Sequence, residues 1–366
     1  MSTTPILLTP GPLTTAEATR RAMMRDWGSR DPAFIALTAE LRQRILTVAN
    51  GEGTHAAVPL QGSGTFIVEA AIATLVGPAD RLLVLVNGAY GERMVAIARR
   101  MGRAVEALRW PEDRAVEPGA VAEALRADPS ITHVALVHCE TTTGILNPLP
   151  AIAAAVAGEG RALLLDAMSS FGALEIDLSA TPVTAVLASS NKCLEGVPGI
   201  GFALVRPEAL ERAAGASPSL SFDLHAQWKG FESDGQWRFT PPVQVVAALV
   251  EALRLLEAEG GPAARRRRYA DNLATLLAGM RRLGFEPFLE EAVQAPIIAT
   301  FRMPEGRPLA FRPFYDALAE RGFLIYPGKL TRAETFRIGC IGALDRRDFE
   351  RLLLAVAEVM AALEAA

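Results

Sequence analysis

The sequence predicts an α/β fold: a mostly parallel sheet in a large domain, followed by a smaller C-terminal α/β domain. Three observations predict it. Between about residues 55 and 205, short apolar β-rich runs alternate with longer helical patterns, as expected for parallel strands covered on both faces. After residue 240 the texture changes to long amphipathic helices with only short β-like pieces between them. The length, 366 residues, suits one large domain plus a smaller one.

In the first half, RLLVLV (81–86), HVALVH (133–138), ALLLD (162–166) and VTAVLA (183–188) are predicted strands, because each is a short, continuous apolar run too brief for a buried helix. The amphipathic stretches 65–76, 91–102, 119–127 and 150–158 are predicted helices. In the second half the expected helices are 243–258, 263–282 and 346–364, with β pieces at 296–302, 323–326 and 335–338. The run ARRRRY (264–269) opens one of these helices. Four arginines there spread around the circumference, so a solvated face is expected rather than a binding patch.

Half the residues are apolar, 21% are charged and the formal net charge is −4. That balance argues against nucleic acid or an anionic membrane as partner. The three cysteines, Cys139, Cys193 and Cys340, are too scattered for a disulfide framework and show no metal-ligand spacing, so no metal is expected and a reducing cytoplasm fits. The start, MSTTPILLTPGPLTT, lacks a basic n-region and a sustained apolar run, so neither export nor membrane anchoring is expected.

In open α/β sheets ligands gather at the carboxyl ends of the strands, so the residues that follow each strand carry the functional reading. Gly62, Ser63, Gly64 and Thr65 run into a helix whose open N–H groups and dipole suit a phosphate, although an ordinary N-cap turn reads the same way. Tyr90, between two glycines in NGAYGERM, could stack on a flat ring or simply pack. Thr141, Thr142 and Thr143 could bind a ligand or satisfy their own turn. Asp166 ends an otherwise apolar strand, where a carboxylate needs a cation, a strong donor or a helix to cap. Lys192, in LASSNKCLEGVPG, follows the next strand; alone, such a lysine is usually solvated. Together, in this order on successive strand ends, they match what pyridoxal 5′-phosphate requires: a phosphate cradle, a ring stacker, a partner for the pyridine nitrogen and an amine.

The strings LLTPGPLTT, LQGSG, NGAYGERM, VHCETTTGILNP, DAMSSFG, SSNKCLEGVPG, WRFTPP, YPGKL and FRIGCIG run nearly end to end. They resemble the class V aminotransferases of fold type I, and within them the group that moves the amino group of 2-aminoethylphosphonate to pyruvate, giving phosphonoacetaldehyde and alanine. The resemblance implies that Lys192 binds the cofactor as a Schiff base, Asp166 holds the pyridine nitrogen and Tyr90 stacks on the ring. It places Ser63, Gly64 and Thr65 at the phosphate, Thr141 near the ring oxygen, and Asn191 beside the lysine. It implies that Arg337 grips the substrate anion, for which a planar guanidinium is suited. Thr240, and with it Trp237, would reach the phosphate of a neighbouring subunit's cofactor, which implies a homodimer with active sites at the interface. The implied organisation is a segment 1–15 packed with the small domain, a cofactor-binding domain 16–255 and a small domain 256–366. Where relatives carry an aspartate-rich stretch this chain has WGSRDPAF (27–34), near the expected mouth of the site, which bears on donor choice.

Alanine:glyoxylate and serine:glyoxylate transaminases share several of these strings and remain the alternative. A cysteine desulfurase would need a thiol on a mobile loop, whereas Cys139 and Cys340 lie in or beside strand-like runs and Cys193 directly follows the lysine. An NAD-dependent dehydrogenase would need GxGxxG after its first strand and an acidic residue beyond, and that pair is missing.

Overall fold

The computed structural model describes residues 4–304, 310–328 and 334–364. Lys329 and Leu330 of YPGKL, and the first three residues of the expected 1–15 segment, lie outside the described residues.

A seven-stranded sheet forms the centre. Its spatial order is Ala56–Gly62, Gly199–Val205, Ala185–Ser189, Ala162–Asp166, His133–Val137, Arg81–Val86 and Ala104–Arg109. Gly199–Val205 runs antiparallel to both of its neighbours, so the other six strands all point the same way. Strands buried on both faces should be apolar at every position, and their side chains should alternate between two cores. That is what is found: Leu83, Leu85, Leu136, Leu163, Leu165 and Val186 pack on one side. Leu82, Val84, Ala135, Val137, Leu164 and Leu187 pack on the other. Each fully buried Leu or Val contributes roughly 1.5–3 kcal/mol relative to exposure.

The expected helices form at Gly64–Leu75, Ala89–Arg100, Pro118–Ala127 and Leu149–Gly158, each within two residues of its predicted bounds. Ala185–Ser189 begins two residues later than the apolar run predicts, because Val183 and Thr184 form the approach to the strand. The strands Ala56–Gly62, Gly199–Val205 and Ala104–Arg109 were not predicted; the last sits at the sheet edge and carries Glu106 and Arg109.

Beyond Gly260 a three-stranded antiparallel sheet, in the order Ile298–Arg302, Thr335–Gly339, Tyr326–Pro327, packs a separate core with helices Gly261–Arg282, Phe311–Glu320 and Arg346–Glu364. Near the N-terminus, Ile6–Leu7 pairs in parallel with Phe323–Leu324, and Leu8 enters that same core. Among the described residues no helix is long and apolar enough to cross a membrane. All three cysteines are buried and free.

The arginine run departs from its expected solvated face. Arg266 and Arg267 are exposed, but Arg265 is 2% exposed and Arg268 is half-buried. Arg265 donates to Glu259 at 2.9 Å and to the Cys193 carbonyl at 2.9 Å, and Arg268 donates to Glu195 at 2.8 Å. Spread around a helix is a poor guide when two of the four positions face the interior and carboxylates from other elements, buried Glu195 and half-buried Glu259, await them.

Candidate active site

One cavity opens at the carboxyl ends of the parallel strands, and the chain brings most of the expected residues to it: Ser63, Gly64, Thr65, Tyr90, Asp166, Asn191 and Lys192 line its wall. Three do not reach it. Thr141 is buried, with its carbonyl accepting from Arg337 Nη1 at 2.8 Å. Arg337 lies behind it. Thr240 is exposed in a separate surface pocket with Trp237, Phe66 and Phe239. No residue of 27–34 lines the cavity; Asp31 caps the helix Pro32–Val48 and Trp27 packs against Phe34.

The floor is a strand-to-helix turn. Strand Ala56–Gly62 ends where helix Gly64–Leu75 begins, and the Ser63 side chain makes no capping bond to it. The first-turn N–H groups therefore keep their capacity for an anion. Gly64 lets Met168 approach closely: a Cβ there would stand 2.7 Å from its sulfur, so any larger residue would have to displace that side chain.

Asp166 ends its strand 5% exposed, and Oδ1 accepts from the Met168 N–H at 3.0 Å. Burial pushes its carboxyl up to about 6, against the pull of that hydrogen bond, of Lys192 and of Arg93. Burial also pushes the Lys192 ammonium down, opposed by Tyr90, Cys193 and Asp166. Lys192 Nζ donates to the Pro10 carbonyl, so the N-terminal segment forms part of the lysine's surroundings.

Three residues at the site went unread in the sequence. Glu140 is fully buried and accepts from the N–H groups of Tyr90 at 3.0 Å and Gly91 at 3.4 Å, and from the Thr142 hydroxyl at 2.6 Å. A carboxylate at that helix N-terminus holds the turn that presents Tyr90. Arg93, one helical turn beyond Tyr90, lies 4.8 Å over its ring and donates to Thr65 Oγ1 at 3.2 Å. The i, i+3 spacing in NGAYGERM was the available signal. Ser189 lines the cavity with a buried hydroxyl that has no partner among the described residues.

The Arg337 guanidinium is 1% exposed. Its Nε donates to the Pro327 carbonyl at 3.0 Å, it lies 4.9 Å over the Tyr326 ring, and it shares a hydrogen bond with Tyr90. Burial lowers its pKa, while Tyr90, Tyr326 and Glu140 work the other way. Tyr90 thus touches both the cavity and the arginine behind it.

A half-buried lysine and a buried aspartate in one cavity, with an uncapped helix N-terminus below, on a mostly parallel sheet, fit an aminotransferase-type site. The family model described as "Aminotransferase class-V" matches residues 18–329, and the chain belongs to that family. It is 55% identical over 359 residues to 2-aminoethylphosphonate--pyruvate transaminase 2 of Burkholderia lata, covering 98% of this chain and 96% of the relative. It is 54% identical over 360 residues to the 2-aminoethylphosphonate--pyruvate transaminase of Pseudomonas fluorescens, covering 98% of each. Among solved structures it is similar to an alanine--glyoxylate aminotransferase from Nostoc sp., with a TM-score of 0.92 at 27% identity, covering 98% of this chain and 96% of that one.

Proposed function

We propose that the protein is a transaminase that moves the amino group of 2-aminoethylphosphonate to pyruvate, giving phosphonoacetaldehyde and L-alanine, with pyridoxal 5′-phosphate as cofactor. The observation that carries this reading is the meeting of Lys192, Asp166 and the uncapped Ser63–Gly64–Thr65 turn in one cavity, in a chain more than half identical to transaminases of that name.

The residues present fit the cofactor. The open N–H groups after Ser63 suit its phosphate, the Ser189 hydroxyl lacks a partner among the described residues, and Asp166 has a raised pKa that a cationic ring nitrogen would relieve. Ser63, Gly64 and Thr65 would hold the phosphate, Tyr90 the ring face, Asp166 the ring nitrogen and Asn191 the ring's polar edge, whereas Thr141 does not line the cavity. When bound, the cofactor supplies an electron sink for the charge left at a substrate carbon as its proton departs.

The chain's own groups do the rest. Burial favours the neutral amine of Lys192, which fits it to bind a carbonyl carbon covalently and, once free, to carry a proton at Nζ. Asp166, ionised above about pH 6, keeps a negative charge where a cationic ring is to be held. Arg337, anchored through Nε on Pro327 behind the cavity wall, is the arginine proposed to grip the phosphonate of the donor and the carboxylate of the acceptor in turn, which requires the wall in front of it to open.

The same reading makes the protein a cytoplasmic homodimer with shared sites. Supporting it, exposed Phe66 and Phe239 line the pocket that holds Thr240, and Phe66 lies on the first turn of the phosphate-binding helix. A second copy covering this apolar surface would bring its Thr240 to the phosphate. The domain limits are proposed at 1–15, 16–255 and 256–366, supported by the separate core beyond Gly260.

The test is a panel of amino donors and acceptors with the purified, cofactor-loaded protein. Alanine formation from pyruvate with 2-aminoethylphosphonate is the expected best reaction. A preference for alanine or serine with glyoxylate would overturn the substrate assignment.

A further inference from the structure

We infer that a buried ion network centred on Glu195 positions Lys192 relative to Arg337, so that Glu195 and Tyr269 act as positioning residues for the fit of the small anionic partners. The inference rests on the roles given above to Lys192 and Arg337.

Glu195 closes the turn that follows the lysine: its N–H donates to the Lys192 carbonyl at 2.8 Å. It adopts φ +60, a left-handed conformation uncommon for a residue with a Cβ, and it is 6% exposed. A buried carboxylate in a strained turn persists only when its surroundings over-determine it. Here they do. Arg268 donates to Glu195 Oε1 at 2.8 Å, Tyr269 Oη donates to the same oxygen at 2.5 Å, and Arg265 Nη2 stands 3.7 Å from Oε2. Arg265 also donates to the Cys193 carbonyl, the residue next to the lysine. Glu259 balances the two arginines from the other side, bonding Arg265 and Arg268.

The far end of the network holds the strand that carries Arg337. Tyr269 Oη accepts from the Gly342 N–H at 3.3 Å, and Arg268 Nη1 donates to the carbonyls of Gly342 at 2.6 Å and Leu344 at 2.9 Å. Those residues leave strand Thr335–Gly339, on which Arg337 is the central position. Burial and Glu195 together keep the Tyr269 hydroxyl protonated, so it remains a donor to the carboxylate. One hydroxyl therefore touches both the lysine's turn and the arginine's loop, and the distance between covalent site and anion grip is set through it. Reacting groups need near-ångström placement, and a misplacement of about 1 Å from a remote change can cost on the order of a hundredfold.

The experiment compares the cofactor-loaded parent with Glu195→Gln and Tyr269→Phe. It reads kcat and KM separately for donor and acceptor, the circular dichroism of the bound cofactor's visible band, and thermal unfolding. We expect kcat/KM for both partners to fall by roughly ten- to a hundredfold, together with a changed visible band. The double variant should lose no more than the worse single one, because both act through one linkage. If both variants keep the parent's visible band and kcat/KM and lose only thermal stability, the network is structural and the inference falls. Should Glu195→Gln fail to fold, Tyr269→Phe, which removes a single oxygen, decides alone. A parent that fails to transaminate overturns the functional reading instead, and the visible band of the loaded variants still decides the positioning role.

Discussion

Lys192 reaches back across 182 positions of sequence to donate a hydrogen bond from Nζ to the Pro10 carbonyl. The next residue, Gly11, lies against the lysine: a Cβ there would stand 2.8 Å from Lys192 Cδ and 2.9 Å from the Asn191 carbonyl. Its φ of +118 also disfavours any side chain. Gly11→Ala should therefore push on the lysine and lower kcat by at least about tenfold, while the protein still binds cofactor. Steady-state kinetics and cofactor absorbance check this. A kcat equal to the parent's would remove the N-terminal turn from the site.

Asp166 links function to stability with a definite sign. Its folded pKa is raised from 3.8 to about 6, so between those values the native state holds more protons than the unfolded chain, and stability falls as pH rises. Above about pH 6 the ionised carboxylate costs the apoprotein up to about 3 kcal/mol. Asp166→Asn should make the apoprotein progressively more stable than the parent from about pH 4 to 6, with a plateau beyond, while slowing turnover of the loaded enzyme by orders of magnitude. Buried His138, pushed down to about 4, favours folding as pH rises, but it does so in both proteins and cancels in the difference. Denaturant unfolding at several pH values reads the effect. A difference independent of pH would mean that Asp166 does not titrate in this range.

Four central strands were legible because a strand buried on both faces has to be apolar nearly throughout, as in ALLLD, whereas Pro59 and the small residues of AAVPLQG concealed Ala56–Gly62. The site was legible for a related reason: Asp166 and Lys192 are polar residues placed directly after such strands. Arg265 and Glu195 were not legible. Their meaning depends on meeting across about seventy positions, and local spacing around a helix carries no information about a partner on another element. Glu140 was hidden likewise, because the N–H groups of Tyr90 and Gly91 that it accepts from lie 50 and 49 positions away in sequence. Ala104–Arg109 escaped because an edge strand keeps charged residues and loses the apolar signal.

Thr240 tests the shared site. It lies outside its own chain's cavity, so the proposed shared site requires its effect on cofactor binding to cross between subunits. Thr240→Ala should weaken cofactor binding by about tenfold, the worth of one hydrogen bond to a charged group. Lys192→Ala should fold and be inactive. Co-expressing the two variants should restore activity, because a mixed dimer contains one site with both native residues. Absence of recovery in mixed dimers that are verified to form would place Thr240 outside the active site.

Arg337→Lys probes the substrate side. The guanidinium already serves the Pro327 and Thr141 carbonyls through Nε and Nη1, and a planar fork can do this while presenting another edge to an anion. A lysine ammonium is a point charge on a flexible stem. It cannot reproduce both anchors and also pair with a phosphonate or carboxylate, so it would be poorly placed even where it stays charged. The loss expected is about 1.5–3 kcal/mol per partner, roughly ten- to a hundredfold in kcat/KM for 2-aminoethylphosphonate and for pyruvate alike. Because Arg337 does not line the cavity that holds Lys192 and Asp166, the bound cofactor's absorption should stay nearly unchanged. Measuring the two half-reactions separately distinguishes the outcomes. Equal losses fit one arginine serving both anions, loss with only one partner would assign it to donor or acceptor alone, and unchanged constants for both would take Arg337 out of substrate recognition.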